Sequence, residues 1–569
     1  MLHQGLTELP ATHEVRNQVP PLAGYDVAAD AALLDAVRRE GADWSLPELH
    51  ELGTLAGSAA TRELARLANV YPPVLRTHDA SGHRIDEVDF HPAWHELMAT
   101  AVRHGLHAAP WADDRPGTHV ARAARFFVWT QAEAGHGCPV SMTYASVPAL
   151  RHQPALAARY EPLLAARTYQ PGLAVPDGKA GLLAGMGMTE KQGGSDVRAN
   201  TTRAVPDPDY DGGYRLTGHK WFCSAPMCDL FLVLAQAPEG LSCFLLPRVR
   251  PDGTRNEMRI QRLKDKLGNR SNASAEVEYD GALAWLVGEP GRGIPTIIEM
   301  VSATRLDCVL GSAAQMRLGC VTAADYVAQR QAFGARLIDY PLMASVIADL
   351  TLESEAATTL AIRLAGAADR AARGDAAEAD FLRLALPAAK FWVCKRTPLV
   401  TGEALECLGG NGYVEDSGLP RLYRDAPLNS IWEGSGNVTA LDVLRALART
   451  PEAAEAVLAE IGQAAGADRR LDRAAARLTD DLAAAARTMA AGAEAGYQAR
   501  RLAGRLALVL QAALLARHAP GPVADAFCAS RLDPEAAGGL AGPGSPFGTL
   551  PEGVALAGVL RRSSVPTSR

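Results

Sequence analysis

The stretch "GMGMTEKQGGSDVRANTTRA" (residues 185–204) is followed at 219–225 by "HKWFCSA". Glycines around Thr189, Ser195 and Asp196 let backbone amides approach a ligand, and the hydroxyls suit a planar heterocycle or a phosphate. "HKWFCSA" has the texture of a strand and adds an aromatic surface, Trp221 and Phe222, with a hydroxyl at Ser224. The plain alternative is a surface loop beside a half-buried strand. Around this pair, residues 181–290 hold short apolar runs, "YRLTGHKWFCS", "LFLVLAQA", "LSCFLLPR" and "ASAEVEY", with Pro238-Glu239-Gly240 joining two of them as a hairpin. A central β domain is predicted there.

The flanks have helical spacing. Residues 1–180 read as an N-terminal α domain, with "THDASGHRIDEVDFHP" as a long irregular connection. Residues 291–445 read as a helical bundle, from "MRLGCVTAADYVAQRQAF" through "ALPAAKFWVCKRTPLVTGEALECLGG". Residues 446–569 read as an additional Arg-rich helical region through 518, closing on a Gly/Pro tail, "AAGGLAGPGSPFGTLPEG", expected as loop or disorder.

Composition bounds the function. The chain has 569 residues, 48% hydrophobic and 21% charged, enough for several cores. A net charge of -7 argues against a uniformly basic nucleic-acid binder and leaves a local patch open. Nine scattered cysteines without a CxxC pair indicate neither a disulfide framework nor a zinc site, and read as reduced, mostly buried thiols. Neither a leader-like start nor an apolar run of membrane-spanning length is seen, so a cytoplasmic protein with no membrane partner is expected.

Three further segments follow in order. "QRQAFG" (329–334) puts Arg330 near a helix end, where a guanidinium can hold a phosphate; an exposed helix-end arginine is the alternative. "ECLGGNGY" (406–413) ends a helix in Gly409, Gly410 and Gly412, suited to a bulky cofactor or to a simple C-cap. "NSIWEGSGN" (429–437) sets one carboxylate, Glu433, between a tryptophan and a Gly-Ser-Gly turn.

Taken together, these motifs resemble the acyl-CoA dehydrogenase superfamily over about residues 180–445. "REGADW", "LARLANVYPP", "DEVDFHPAWH", "VARAARF" and "KDKLGNRSNAS" sharpen the resemblance to its AidB branch, flavoproteins of the bacterial response to alkylating agents, up to about residue 535. The implied fold is α+β: an N-terminal helical domain, a central β-barrel or sandwich, a C-terminal helical bundle and an extra C-terminal helical region. The implied cofactor is FAD, with Met186, Thr189, Ser195, Phe222 and Ser224 at its isoalloxazine ring and Trp432 as an apolar wall. Ser435 and Asn437 correspond to further flavin contacts. Arg330, Gly409 and Gly410 would meet the FAD of a neighbouring subunit, which implies a homotetramer. Glu406 departs from the glutamine of many members.

Glu433 holds the position of the base that takes a proton from the carbon next to a thioester carbonyl, a task that needs a dry site and a raised pKa. Other members place the base one residue before an arginine on an earlier helix, where this chain has Thr304 before Arg305. An acyl-CoA or related small molecule is the implied substrate. Arg305 reads either as a CoA contact or as a structural ion pair.

Residues 451–569 carry thirteen arginines against twelve acids, a net of +1. Arrangement says more than total charge: Arg473 and Arg477, then Arg501 and Arg505, recur at four-residue spacing, a stripe able to track the phosphates of double-stranded DNA. A solvated helix face is the alternative. Two functions therefore stand: a DNA-binding, DNA-protective AidB-like flavoprotein with weak or vestigial dehydrogenation, and an active acyl-CoA dehydrogenase whose extra helices serve assembly.

Overall fold

The computed structural model describes residues 12–492, 495–533 and 544–564. Helical spacing in the first region produces α1 (Ala31–Arg39), α2 (Leu46–Ala56), α3 (Ala59–Val70), α4 (Pro92–Arg103), α5 (Ala109–Ala112), α6 (Thr118–Thr130), α7 (Gly137–Leu150) and α8 (Pro154–Leu164). Side-chain caps start α1 and α3, where Asp30 and Ser58 accept from the Ala32 and Thr61 amides. α6 and α7 bury nearly every residue and form the layer against the other domains.

One expectation is corrected between α3 and α4. The segment read as an irregular connection folds into an antiparallel hairpin, β1 (Val74–His78) with β2 (Arg84–Asp89). Asp79 accepts from the Ser81 and His83 amides, and Gly82 takes a φ of 84° to close the turn. The strands are too polar to show an apolar period of two. They are held instead by arginines reaching across domains: Arg84 donates to the Ile260 carbonyl (2.9 Å) and Arg255 to the Ile85 carbonyl (2.7 Å).

The central domain is a closed barrel. Its strands are β3 (Ala184–Gly187), β4 (Arg203–Pro206), β5 (Gly213–Ser224), β6 (Leu230–Ala237), β7 (Gly240–Pro247), β8 (Met258–Leu263) and β9 (Ser274–Val287). The ring runs β4-β5-β9-β7-β6 and returns to β4 through the Arg203/Gln236 pair, with β3 extending the β6 edge and β8 pairing β9. β6 is apolar on both faces because it lies inside the molecule, and Pro238-Glu239 turns it directly into β7.

The loop of residues 188–202 is stapled to this barrel by one buried pair. Lys220 donates to Glu190 (2.8 Å) and to the Leu234 carbonyl (2.8 Å), both side chains being fully enclosed. Glu190 also accepts from the Thr201 and Thr202 amides. Every lone pair facing inward thus has a partner, the condition under which a buried charge is tolerated.

Three long helices build the bundle: α9 (Gly293–Gln329), α10 (Pro341–Ala372) and α11 (Ala376–Glu406), with the small hairpin β10 (Gln331–Ala332) and β11 (Ala335–Arg336) after α9. α12 (Leu419–Asp425) and α13 (Gly436–Arg449) follow, and α14 (Pro451–Gly462), α15 (Arg469–Ala490), α16 (Ala499–His518), α17 (Gly521–Arg531) and α18 (Leu556–Leu560) complete the C-terminal region. Buried ion pairs rivet that region to α10. Arg531 bonds Asp349 and Glu353, Arg562 bonds Glu355 (2.7 Å), and the Gly548 amide donates to Asp349 (3.0 Å). Of the Gly/Pro tail, residues 536–543 lie outside the described residues, and 544–553 run without helix along α10, where Ser345 donates to the Gly548 carbonyl.

All nine cysteines are buried and unpaired. No helix among the described residues is long and apolar enough to cross a membrane. Lys220→Met, similar in bulk, would strand the Glu190 carboxylate in the barrel wall. We expect it to lose about 3–5 kcal/mol of stability in a urea titration.

Candidate active site

The segment 429–437 passes through the junction of α9, α11 and α13. A 3-10 turn over Ala426–Ser430 brings it in, and α13 begins at Gly436. Between them Glu433 takes a φ of +56°, a left-handed conformation rare outside glycine, and Gly434 follows at +100°. Two cations hold this backbone. Lys390 of α11, fully buried, donates to the carbonyls of Trp432 (2.8 Å) and Gly434 (2.5 Å). Arg305 of α9 donates to the carbonyl between them, that of Glu433 (2.9 Å). Arg305 is itself fixed by Asp442 of α13 (2.7 Å), which Arg383 also bonds. Its guanidinium is thus engaged as a structural ion pair.

The left-handed turn throws the Glu433 side chain toward α9, where its Oε2 meets the Thr304 hydroxyl at 2.7 Å. Part of the residue remains accessible, yet the carboxylate lies deep. Burial pushes its pKa above the usual carboxylate range, against the Thr304 hydrogen bond and the charges of Lys390 and Arg305. An acid so placed is a stronger base than an exposed carboxylate. Trp432 is half-buried beside it, its indole N–H donating to Asn429 (3.0 Å), which donates in turn to Ser312.

The Cys138 thiol, at the start of α7, lies near both Glu433 and Ser224, which brings the end of β5 to the side of the bundle that carries the acid. Ser224 Oγ lies 3.4 Å from Ser274 Oγ, and Ser274 accepts from Lys266 (3.0 Å). Phe222 is 52% exposed despite its size, while Lys264 lies 3.3 Å above the Trp221 ring and 4.6 Å from the Phe222 ring. Met186 in β3 and Thr189 in the loop are half-buried, and Ser195 is exposed. A Cβ on Gly194 would fall 2.6 Å from Thr189 Oγ1, so only glycine lets the loop fold over that hydroxyl. An exposed aromatic side chain, nearby hydroxyls and a glycine cradle fit a planar, hydrogen-bonding ring such as a flavin.

The remaining predicted residues separate into two places. Ser435 and the exposed Asn437 stand at the start of α13, next to Lys395, whose side chain crosses Gly436 so closely that a Cβ there would meet it at 2.5 Å. Arg330, Gly409 and Gly410 lie at the opposite end of α9. Asn411 donates to Tyr326 (2.8 Å), which joins the glycine turn to the helix end carrying Arg330, and Glu406 is exposed beside it. Twenty-six residue steps along α9 to its C-cap separate Thr304 from Arg330, about 39 Å at the rise of an α-helix. Arg330 and Glu433 of one chain therefore do not share one ligand. At the same end, Phe333 is 98% exposed at the tip of the β10–β11 hairpin.

The four arginines of the stripe sit in two different settings. Arg473, Arg477 and Arg501 are exposed and form no ion pair among the described residues. Arg505 is half-buried, and its guanidinium bonds Asp481 of α15, so it joins α16 to α15. Arg517 likewise bonds Glu460 of α14 (2.8 Å).

A closed barrel between two helical layers, with an acid delivered to their junction, is the architecture of the acyl-CoA dehydrogenases. Family models match accordingly: the AidB N-terminal domain over 17–171, the acyl-CoA dehydrogenase middle domain over 185–282 and its C-terminal domain over 291–448. AidB of Escherichia coli (strain K12) is 48% identical over 528 residues, 92% of this chain and 95% of its own. The chain belongs to the AidB family of acyl-CoA dehydrogenases. Among solved structures, Caenorhabditis elegans ACDH-11 in complex with C11-CoA aligns with a TM-score of 0.85 and 28% identity, over 93% of this chain and 95% of that one. An acyl-CoA dehydrogenase from Bacillus anthracis complexed with FAD shares the fold, with a TM-score of 0.60 and 18% identity over 77% of this chain and 80% of that one.

Sequence reasoning missed Lys390, Asp442 and Cys138. The one available signal was a lysine within the apolar helical run "ALPAAKFWVCK". Lys390→Met is expected to leave two buried carbonyls without their charged donor and to cost about 2–4 kcal/mol, read by urea unfolding.

Proposed function

We propose that this chain is a FAD-containing AidB-like flavoprotein that keeps a working proton-abstraction site and binds duplex DNA along its C-terminal helices, in defence against alkylation. Supporting the first half is a single observation: Glu433 is held in a costly left-handed conformation by two dedicated cations, with its pKa pushed up. Met186, Thr189, Ser195, Phe222 and Ser224 would hold the flavin ring, with Trp432, Ser435 and Asn437 on the bundle side. Bound FAD supplies the hydride acceptor. The Glu433 carboxylate takes the proton from the carbon next to a thioester carbonyl. The electron pair of that C–H bond becomes the second bond to the neighbouring carbon, from which hydride departs. Burial keeps Glu433 a strong enough base while water is excluded.

The distance along α9 supports a subunit-sharing arrangement. Arg330, Gly409 and Gly410, too far from their own Glu433, would serve the cofactor of a neighbour, as in a homotetramer. The second half of the proposal rests on Arg473, Arg477 and Arg501, exposed and without an ion pair among the described residues, repeated on each subunit so that weak sites add by avidity.

A fully active acyl-CoA dehydrogenase is the second reading, favoured by the intact setting of Glu433 and by the riveting of the C-terminal helices to α10. The C11-CoA bound by the C. elegans relative makes acyl-CoAs of similar chain length the first substrates to try.

Flavin bleaching by an acyl-CoA panel tests the chemistry. Glu433→Gln should slow it at least about 100-fold. In the unmodified protein the rate should fall as pH drops through the raised pKa of Glu433, because only the ionised carboxylate accepts the proton. Absence of bleaching by every thioester would overturn the dehydrogenase reading. For DNA, Arg473→Ala, Arg477→Ala and Arg501→Ala combined should weaken duplex binding and shrink the salt slope by about 2–3 units, measured by fluorescence anisotropy against salt. Unchanged binding and slope would sink that half.

A further inference from the structure

Glu433 must be satisfied twice: as an anion before it takes a proton and as an acid afterward. In a dry pocket each form needs a different partner, a donor for the carboxylate and an acceptor for the new O–H. Lys390 and Arg305 aim their donors at the carbonyls of residues 432–434 and at Asp442 rather than at either oxygen of the Glu433 carboxylate. The bond that does reach one comes from Thr304.

Thr304 is buried in α9 at 4% exposure. Its Oγ1 lies 2.7 Å from Glu433 Oε2, 3.2 Å from the Met300 carbonyl and 3.1 Å from the Val301 carbonyl. One hydroxyl hydrogen thus has three acceptors within reach, and both helix carbonyls already lie in the path of α9 amides. We propose that Thr304 is a positioning residue for Glu433, a hydroxyl that donates to the carboxylate and then, by turning its hydrogen onto a helix carbonyl, accepts from the protonated acid. The inference rests on Glu433 being the base, as proposed above. No heavy atom moves between the two states, so the acid keeps its aim through the cycle.

The other groups facing Glu433 do not perform this exchange. Cys138 of α7 and Cys308 of α9 are buried thiols whose pKa values burial pushes up, Cys138 to about 11, so both stay neutral and weakly bonding. Lys390 of α11 and Arg305 of α9 act on the carboxylate only as nearby charges. A valine at 304 would keep the shape and remove both the donor and the acceptor.

The test is pH-difference infrared spectroscopy of the full-length, FAD-loaded protein, following the C=O stretch of a protonated carboxyl. Glu433→Gln should delete one such band and so assign it. Thr304→Val should move the midpoint of that band up by about one unit, since the hydrogen bond lost by the ionised carboxylate is stronger than the one lost by the neutral acid. Thr304→Ala should shift it the same way, and Thr304→Ser should stay within a few tenths of a unit of the unmodified protein. A midpoint unchanged in Thr304→Val and Thr304→Ala, with the band still assigned by Glu433→Gln, overturns the inference and leaves the base reading standing. No band lost in Glu433→Gln would overturn both.

Discussion

The grip of Lys390 and Arg305 on three consecutive carbonyls is the constraint on which the site depends. A non-glycine residue in the left-handed region costs about 1–2 kcal/mol, and the chain accepts that at Glu433. Charge-assisted hydrogen bonds from buried donors, each stronger than a neutral one, offset the strain. The same grip fixes three helices to one another. Lys390 comes from α11, Arg305 from α9, and Asp442, which locks Arg305, from α13. Aim of the acid and packing of the bundle are therefore one property.

The rest of the interior follows the same logic on a larger scale. The bundle helices are studded with buried charges, and nearly all are paired across elements. Arg122 of α6 meets Asp307 of α9, Arg396 of α11 and Arg531 of α17 converge on Glu353 of α10, and Lys179 meets Asp229 under the barrel. Such pairs add little net stability compared with apolar packing, but breaking one strands a charge. They select one arrangement of domains over others of similar hydrophobic burial.

What could be read from the residues was local. β6 was legible because "LFLVLAQA" is a continuous apolar run ended by Pro238, and the long helices because their apolar spacing persists for many turns. Glu433 stood out as a carboxylate set against glycines. The hairpin β1–β2 was hidden because its strands are polar and depend on arginines from the barrel. Lys390 was hidden because its partners lie more than forty residues downstream, and nothing in a helical run shows what packs across it. The ion pair of Arg505 was hidden for the same reason. Its four-residue spacing from Arg501 is real, but α15 brings Asp481 against it, and spacing along one helix cannot reveal a neighbour.

α9 has one consequence that reaches beyond a single site. Its 37 residues form one unbroken rod, with Thr304 and Arg305 toward one end and Arg330 at the other. Inserting or deleting a single residue between them would rotate one end against the other by about 100° and slide it by about 1.5 Å. Neither end could absorb that turn, since one is pinned to Glu433 and Asp442 and the other to Asn17 and the glycine turn. A change in the length of this rod would therefore break the contacts at one end or the other.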